Sequence, residues 1–158
     1  MIRTALLVLL CAPLPTLAET AGHDTAQPND RDFVLAATQA GQQEVHDAAW
    51  AAKSSRMEPV RQIAQMLLED HKASNAKLST LAHDKGMSLP VTAASANPTP
   101  SFSDGEYVAS QIQAHEDAIA LFSSEADRGA DQDFRAFAQQ MLPVLRSHLK
   151  ALRALQTP

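Results

Sequence analysis

Apolar residues recur at spacings of three and four along most of this chain, and no useful length alternates as a strand would. The first stripe, Phe33, Ala37, Ala40, Glu44, Ala48 and Ala51, predicts a helix capped by Asp30 or Asp32. A break follows at Lys53-Ser54-Ser55. The second helix carries Glu58 and Pro59 in its first turn, where charge suits the dipole and a missing N–H does no harm. Its stripe is Val60, Ala64, Leu67, His71, Ser74, Leu78 and Leu81, and Gly86 marks its end. A third helix begins after Ser103-Asp104 and places Val108, Ile112, His115, Ile119 and Phe122 on one face, closing at Arg128-Gly129. A fourth runs from about Asp131 with Phe134, Ala138, Met141, Leu145, His148, Leu152 and Leu155 inward. Pro143 lies inside it and should bend it by removing one backbone hydrogen bond.

The four helices form two similar halves. Phe33-Val34 resembles Tyr107-Val108, and Val60-Arg61-Gln62-Ile63-Ala64-Gln65 resembles Phe134-Arg135-Ala136-Phe137-Ala138-Gln139, both at an offset of 74 residues. Between the halves, residues 87–103 contain Pro90, Pro98 and Pro100. Extended at ~3.1 to 3.3 Å per residue, such a connector reaches ~50 Å. The helices are roughly 40 Å long at ~1.5 Å per residue. The expected fold is all-α: a four-helix bundle of two hairpins joined by a crossover connector as long as the bundle, the ferritin-like topology.

Each stripe also carries one polar residue where an apolar one belongs: Glu44, His71, His115 and His148. Burying such groups costs several kcal/mol unless each finds a partner. Two readings follow. In one, a buried His and a buried Glu satisfy each other and fix helix register. In the other, some subset of the four binds a metal. Chain positions relative to the hairpin turns bring Glu44 and His115 to similar heights and displace His71 and His148 to opposite sides, an axial spread of about 10 Å. That spread suits a two- or three-residue site with water, or two separate pairs, better than one tetrahedral site. A di-iron centre needs Glu-x-x-His, yet Leu68 and Leu145 stand three residues before His71 and His148. Three imidazoles and a carboxylate suit zinc, copper or nickel instead. Asp70 and Glu116 point about 100° from their neighbouring histidines and are expected at the surface or behind the ligands. His46 and His83 fall on polar faces and are expected to be solvated. His23 lies in the leader, too far from Glu19 for amine chelation.

Composition narrows the classes. A net charge of −5 with mixed exposed faces offers no basic surface for nucleic acid. Residues 1–18 read as a signal peptide: Arg3, a short apolar run over residues 5–14, and Thr16-Leu17-Ala18 before the cut. The run is well short of the ~20 apolar residues of a spanning helix. Cleavage there removes Arg3, so −5 becomes −6, and removes Cys11, the one cysteine. Leu9 and Leu10 precede Cys11 where lipidation wants small residues, so no lipid anchor is expected. Residues 19–29 read as a disordered leader and 30–158 as one domain. Only five glycines are present, without a phosphate loop or a nucleophile elbow. Met57, Met66 and Met141 form no Met-x-x-Met series and read as core filler. Trp50 is expected to pack near the first turn.

Residues 33–50, Gln65-Met66-Leu67-Leu68-Glu69-Asp70-His71, residues 81–90 with their Lys-Gly-Met-Ser-Leu-Pro ending, His115-Glu116-Asp117-Ala118-Ile119-Ala120-Leu121-Phe122 and Leu142-Pro143-Val144-Leu145-Arg146-Ser147-His148-Leu149 stand out as motifs. Together they resemble the ferritin-like family called domain of unknown function 4142. The resemblance implies an exported four-helix bundle, often labelled an outer-membrane protein, and implies no known activity. The expected protein is periplasmic or otherwise exported. Its first functional reading is a binding or structural envelope bundle with a stress role, its partner another protein or a second copy. A divalent transition metal held by Glu44, His71, His115 and His148 comes second, and enzyme chemistry a distant third.

Overall fold

The computed structural model describes residues 28–89 and 103–156. They form four helices: α1 (Pro28–Ser54), α2 (Glu58–Asp84), α3 (Asp104–Arg128) and α4 (Gln132–Ala154), with no strand among the described residues. The expected signal peptide, most of the expected leader and most of the connector lie outside them.

Local chemistry sets the helix ends. Ser103 caps α3 by accepting from the Glu106 N–H, while Glu106 reaches back to the Ser103 N–H, a reciprocal capping box. Asp131 caps α4 through the N–H groups of Asp133 and Phe134. At the end of α2, Gly86 takes a positive φ of 74°, the left-handed conformation that a side chain would strain. This lets the Met87 N–H return to the Ala82 carbonyl at 2.9 Å. Pro143 does not interrupt α4; its ring lies on the solvent side.

Asp30 departs from expectation. It sits in the first turn of α1, fully buried, and its carboxylate accepts from the N–H groups of Ala130 (2.7 Å) and Asp131 (3.0 Å). It therefore satisfies the α3–α4 turn, a hundred residues away, as well as carrying negative charge at its own helix start.

The helices pack as two antiparallel hairpins, α1 on α2 and α3 on α4, with α1 also against α3 and α2 against α4. Lys85, at the end of α2, pairs with Asp131 and Asp133 beside the α3–α4 turn. Asp104, at the start of α3, accepts from the Met57 N–H in the α1–α2 turn. The segment joining α2 to α3 thus starts at one end of the bundle and finishes at the other, while its path lies outside the described residues.

Two apolar cores occupy the ends. One, around Phe33, Phe122, Phe134 and Phe137, fills the end near the α3–α4 turn, with Phe33 and Phe122 edge to face at 5.1 Å. The other, with Ala51, Val60, Ala64, Tyr107 and Val108, lies at the α1–α2 turn, where Trp50 packs as expected. Along α1 the buried stripe passes through Gly41 rather than Ala40, which is exposed. The predicted stripes also omit Tyr107, Gln111, Phe137 and Leu149, all buried.

Candidate metal centre

Between the apolar ends lies a polar layer with one group from each helix: Glu44 on α1, His71 on α2, His115 on α3 and His148 on α4, all 6 % exposed or less. The expected axial spread of about 10 Å does not occur. The ring centroids form a near-equilateral triangle with sides of 5.4, 5.5 and 5.4 Å, the planes tilted by 65° to 69° like three blades. One ring nitrogen from each histidine lies within 4.8 Å of the other two. Turn geometry, not residue counting, sets helix register, and a few residues' error in the count accounts for the difference.

Outer partners orient each ring. His115 Nδ1 lies 2.8 Å from the Gln111 carbonyl oxygen, which only accepts, so the ring proton sits on Nδ1 and Nε2 carries a lone pair. His148 Nε2 lies 2.9 Å from Asp70 Oδ2, which places its proton on Nε2 and the lone pair on Nδ1. His115 Nε2 and His148 Nδ1 face each other at 3.3 Å. With one proton on each ring and that proton held outward, two lone pairs meet there and neither nitrogen donates to the other. His71 Nδ1 lies 3.3 Å from Glu44 Oε2, and His71 Nε2 is buried without a hydrogen-bond partner. The arrangement leaves three ring nitrogens free to donate electron pairs, each ring held from behind by an oxygen. Metal-ligating histidines are characteristically oriented this way.

Glu44 stands behind this set rather than within it. Its Oε2 faces His71 Nδ1; its Oε1 lies 3.4 Å from His115 Nδ1, whose proton goes to the Gln111 carbonyl, and is buried without a hydrogen-bond partner. A tetrahedral ion with metal–nitrogen bonds of ~2.05 Å needs nitrogens about 3.3 Å apart. The His115–His148 pair already has that spacing.

The electrostatics favour the neutral form of His71 and His115. Burial, then the neighbouring imidazoles of His115 and His148, hold His71 down to about 3. Burial lowers His115 to about 4 against the opposing pull of the Gln111 carbonyl. Burial and then Asp47 push Glu44 up to about 7. Neutral imidazole is the form that binds a metal, so protons compete weakly here.

Asp70 reaches the site although its side chain is half exposed, whereas Glu116 pairs with Arg153 at the surface. His83 is exposed, as expected. His46 is not: it is largely buried, with Nδ1 3.5 Å from Asp47. His23 lies outside the described residues. Sequence reasoning missed Tyr107, Gln111 and Asp47, a group of buried polar residues on α1 and α3. Tyr107, Gln111 and His115 recur every four residues, which was the available signal.

Fold and site together define a four-helix bundle with a buried three-histidine layer at mid-height. The chain matches the family described as Domain of unknown function (DUF4142) over residues 15–155, and it belongs to that family. No curated protein matches it in sequence. In structure it is similar to a DUF305 fragment from Deinococcus radiodurans (TM-score 0.68, 17% identity, 82% of this chain and 96% of that one). It is also similar to a conserved hypothetical protein from Mycobacterium tuberculosis (TM-score 0.70, 14% identity, 82% and 93%). At such identities the likeness concerns the fold alone. Among the described residues, no helix is long and apolar enough to cross a membrane.

Proposed function

We propose that this protein is an exported bundle that binds one divalent transition-metal ion, zinc, copper or nickel, through His71, His115 and His148. The observation that carries the reading is the convergence of three buried ring nitrogens, two of them 3.3 Å apart and the third, on His71, without a hydrogen-bond partner. A purely structural polar cluster would place a proton between such nitrogens; here the Gln111 carbonyl and Asp70 hold the protons on the far sides. A shared cation relieves that repulsion. The donor set of three borderline nitrogens selects against magnesium and calcium, which take oxygen ligands. Export rests on the signal-like residues 1–18, and the metal would be met outside the cytoplasm.

The test is uptake. The mature chain, stripped with chelator, is titrated separately with Zn(II), Cu(II), Ni(II) and Fe(II), and bound metal and melting temperature are measured. Zinc, copper or nickel is expected to bind at one ion per chain, adding about 2.7 kcal/mol of stability at a free concentration a hundredfold above Kd. His71→Ala and His148→Ala should abolish uptake. No uptake by the wild type, or uptake unchanged in both variants, retires the reading in favour of a structural layer.

A further inference from the structure

The two sides of the histidine layer are built differently. One helical turn toward the α1–α2 end stand Ala48, Leu67, Ile112 and Leu152, which pack together; Ala48, Leu67 and Leu152 are fully buried. That side is plugged. One turn the other way stand Gly41, Ser74, Asn75, Ala118 and Leu145, mostly small, and a cavity of about 30 Å³ remains between them. His71, His148 and Glu44 border this cavity, and His115 does not. A single water needs roughly 10 to 15 Å³ by this kind of measure, so there is room for about two waters or one triatomic ion.

Among the described residues, no fourth histidine, cysteine or carboxylate joins the three ring nitrogens as a close ligand group. Glu44 faces the outer nitrogens of His71 and His115, and Asp70 is held by His148 Nε2. Gly41 leaves room for the Asn75 amide at the cavity wall, because a Cβ there would lie 2.1 Å from Asn75 Oδ1 and displace that amide. Closed structural sites use four protein ligands, whereas three ligands with an open position admit an exogenous one. Resting on the metal-binding reading, we propose that the ion keeps its fourth position open toward this cavity, occupied by water that exchanges for a small monovalent anion. The opposite face of the layer is packed leucine and alanine, so the open position lies on the cavity side.

The experiment loads the protein with Co(II) or Cu(II), counts bound metal per chain, and then titrates azide while recording the visible spectrum. A saturable change at one azide per metal is expected. Two variants fill the cavity from different walls: Ala118→Leu from the core and Ser74→Leu from a half-buried position that tolerates the change. Both should retain the metal and weaken azide binding by roughly tenfold or more, because the added side chain takes the anion's space. Metal bound without any azide response overturns the open position while leaving metal binding intact. An azide response unchanged in both variants overturns the assignment to this cavity. No metal uptake at all sinks both readings.

Discussion

The phenylalanine end of the bundle and the histidine layer are made by the same four helices, yet they solve burial in opposite ways. At the end, Phe33, Phe122, Phe134 and Phe137 remove apolar surface from water and need no partners beyond close contact. In the layer, every buried group needs a specific partner, and the contacts run as a circuit. Glu44 touches His71 and His115, His115 touches His148, and His148 touches Asp70 on α2. The circuit links each adjacent helix pair, and it still leaves His71 Nε2 and Glu44 Oε1 without hydrogen-bond partners. An apolar layer would have held the helices at least as well. The proposed metal is what would offset the cost of that layer.

The sharpest break of the comparison is at the apolar end. Phe134→Ala should cost about 3 to 5 kcal/mol in denaturant unfolding, through lost burial and a residual cavity. The loss should be the same with and without metal. A metal-dependent loss would mean that the two regions are not independent.

Acid comes next. His71 protonates near 6.5 in the unfolded chain and only at about 3 when folded, so the unfolded state takes up its proton first as pH falls. Metal-free stability present above pH 6.5 is then lost, by about 3 kcal/mol between pH 6.5 and 4 from this group. Glu44 acts with the opposite sign. Its carboxyl is raised to about 7, so its contribution is present below its unfolded pKa and is lost as pH rises through 7. Urea midpoints measured in chelator should fall on the acid side for the wild type and fall less for His71→Leu. Equal acid slopes in the two proteins would show that His71 is not buried neutral.

The smallest effect concerns a group behind the ring. Asp70→Asn keeps the shape but weakens the acceptor for His148 Nε2–H. Metal affinity should fall by 10- to 100-fold. Metal-free stability should change by less than about 1 kcal/mol, because Asp70 is half exposed. A large stability loss with unchanged affinity would assign Asp70 a structural role alone.

The fold was legible because the apolar period is sustained over four long segments whose ends carry readable chemistry: Pro59 in the first turn of α2, Gly86, the Ser103–Glu106 box and Asp131. The four inward polar residues were legible for the same reason, since each interrupts an apolar stripe. Their convergence at one level was not. Relative helix height depends on how turns are built, and an error of a few residues at ~1.5 Å each is enough to separate groups that in fact touch. Asp70 was hidden for a different reason. It lies about 100° around α2 from His71 and serves the histidine of another helix, α4, so no periodicity within its own helix points to it. Asp30 likewise answers to the α3–α4 turn, not to the helix that carries it.

The most direct measurement is X-ray absorption on the zinc-loaded protein, counting nitrogen neighbours and the outer-ring scattering that identifies imidazole. Three imidazole nitrogens at ~2.0 to 2.1 Å and one further light ligand are expected. A shell of carboxylate and water oxygens without imidazole scattering would contradict the account, whatever the stoichiometry of binding.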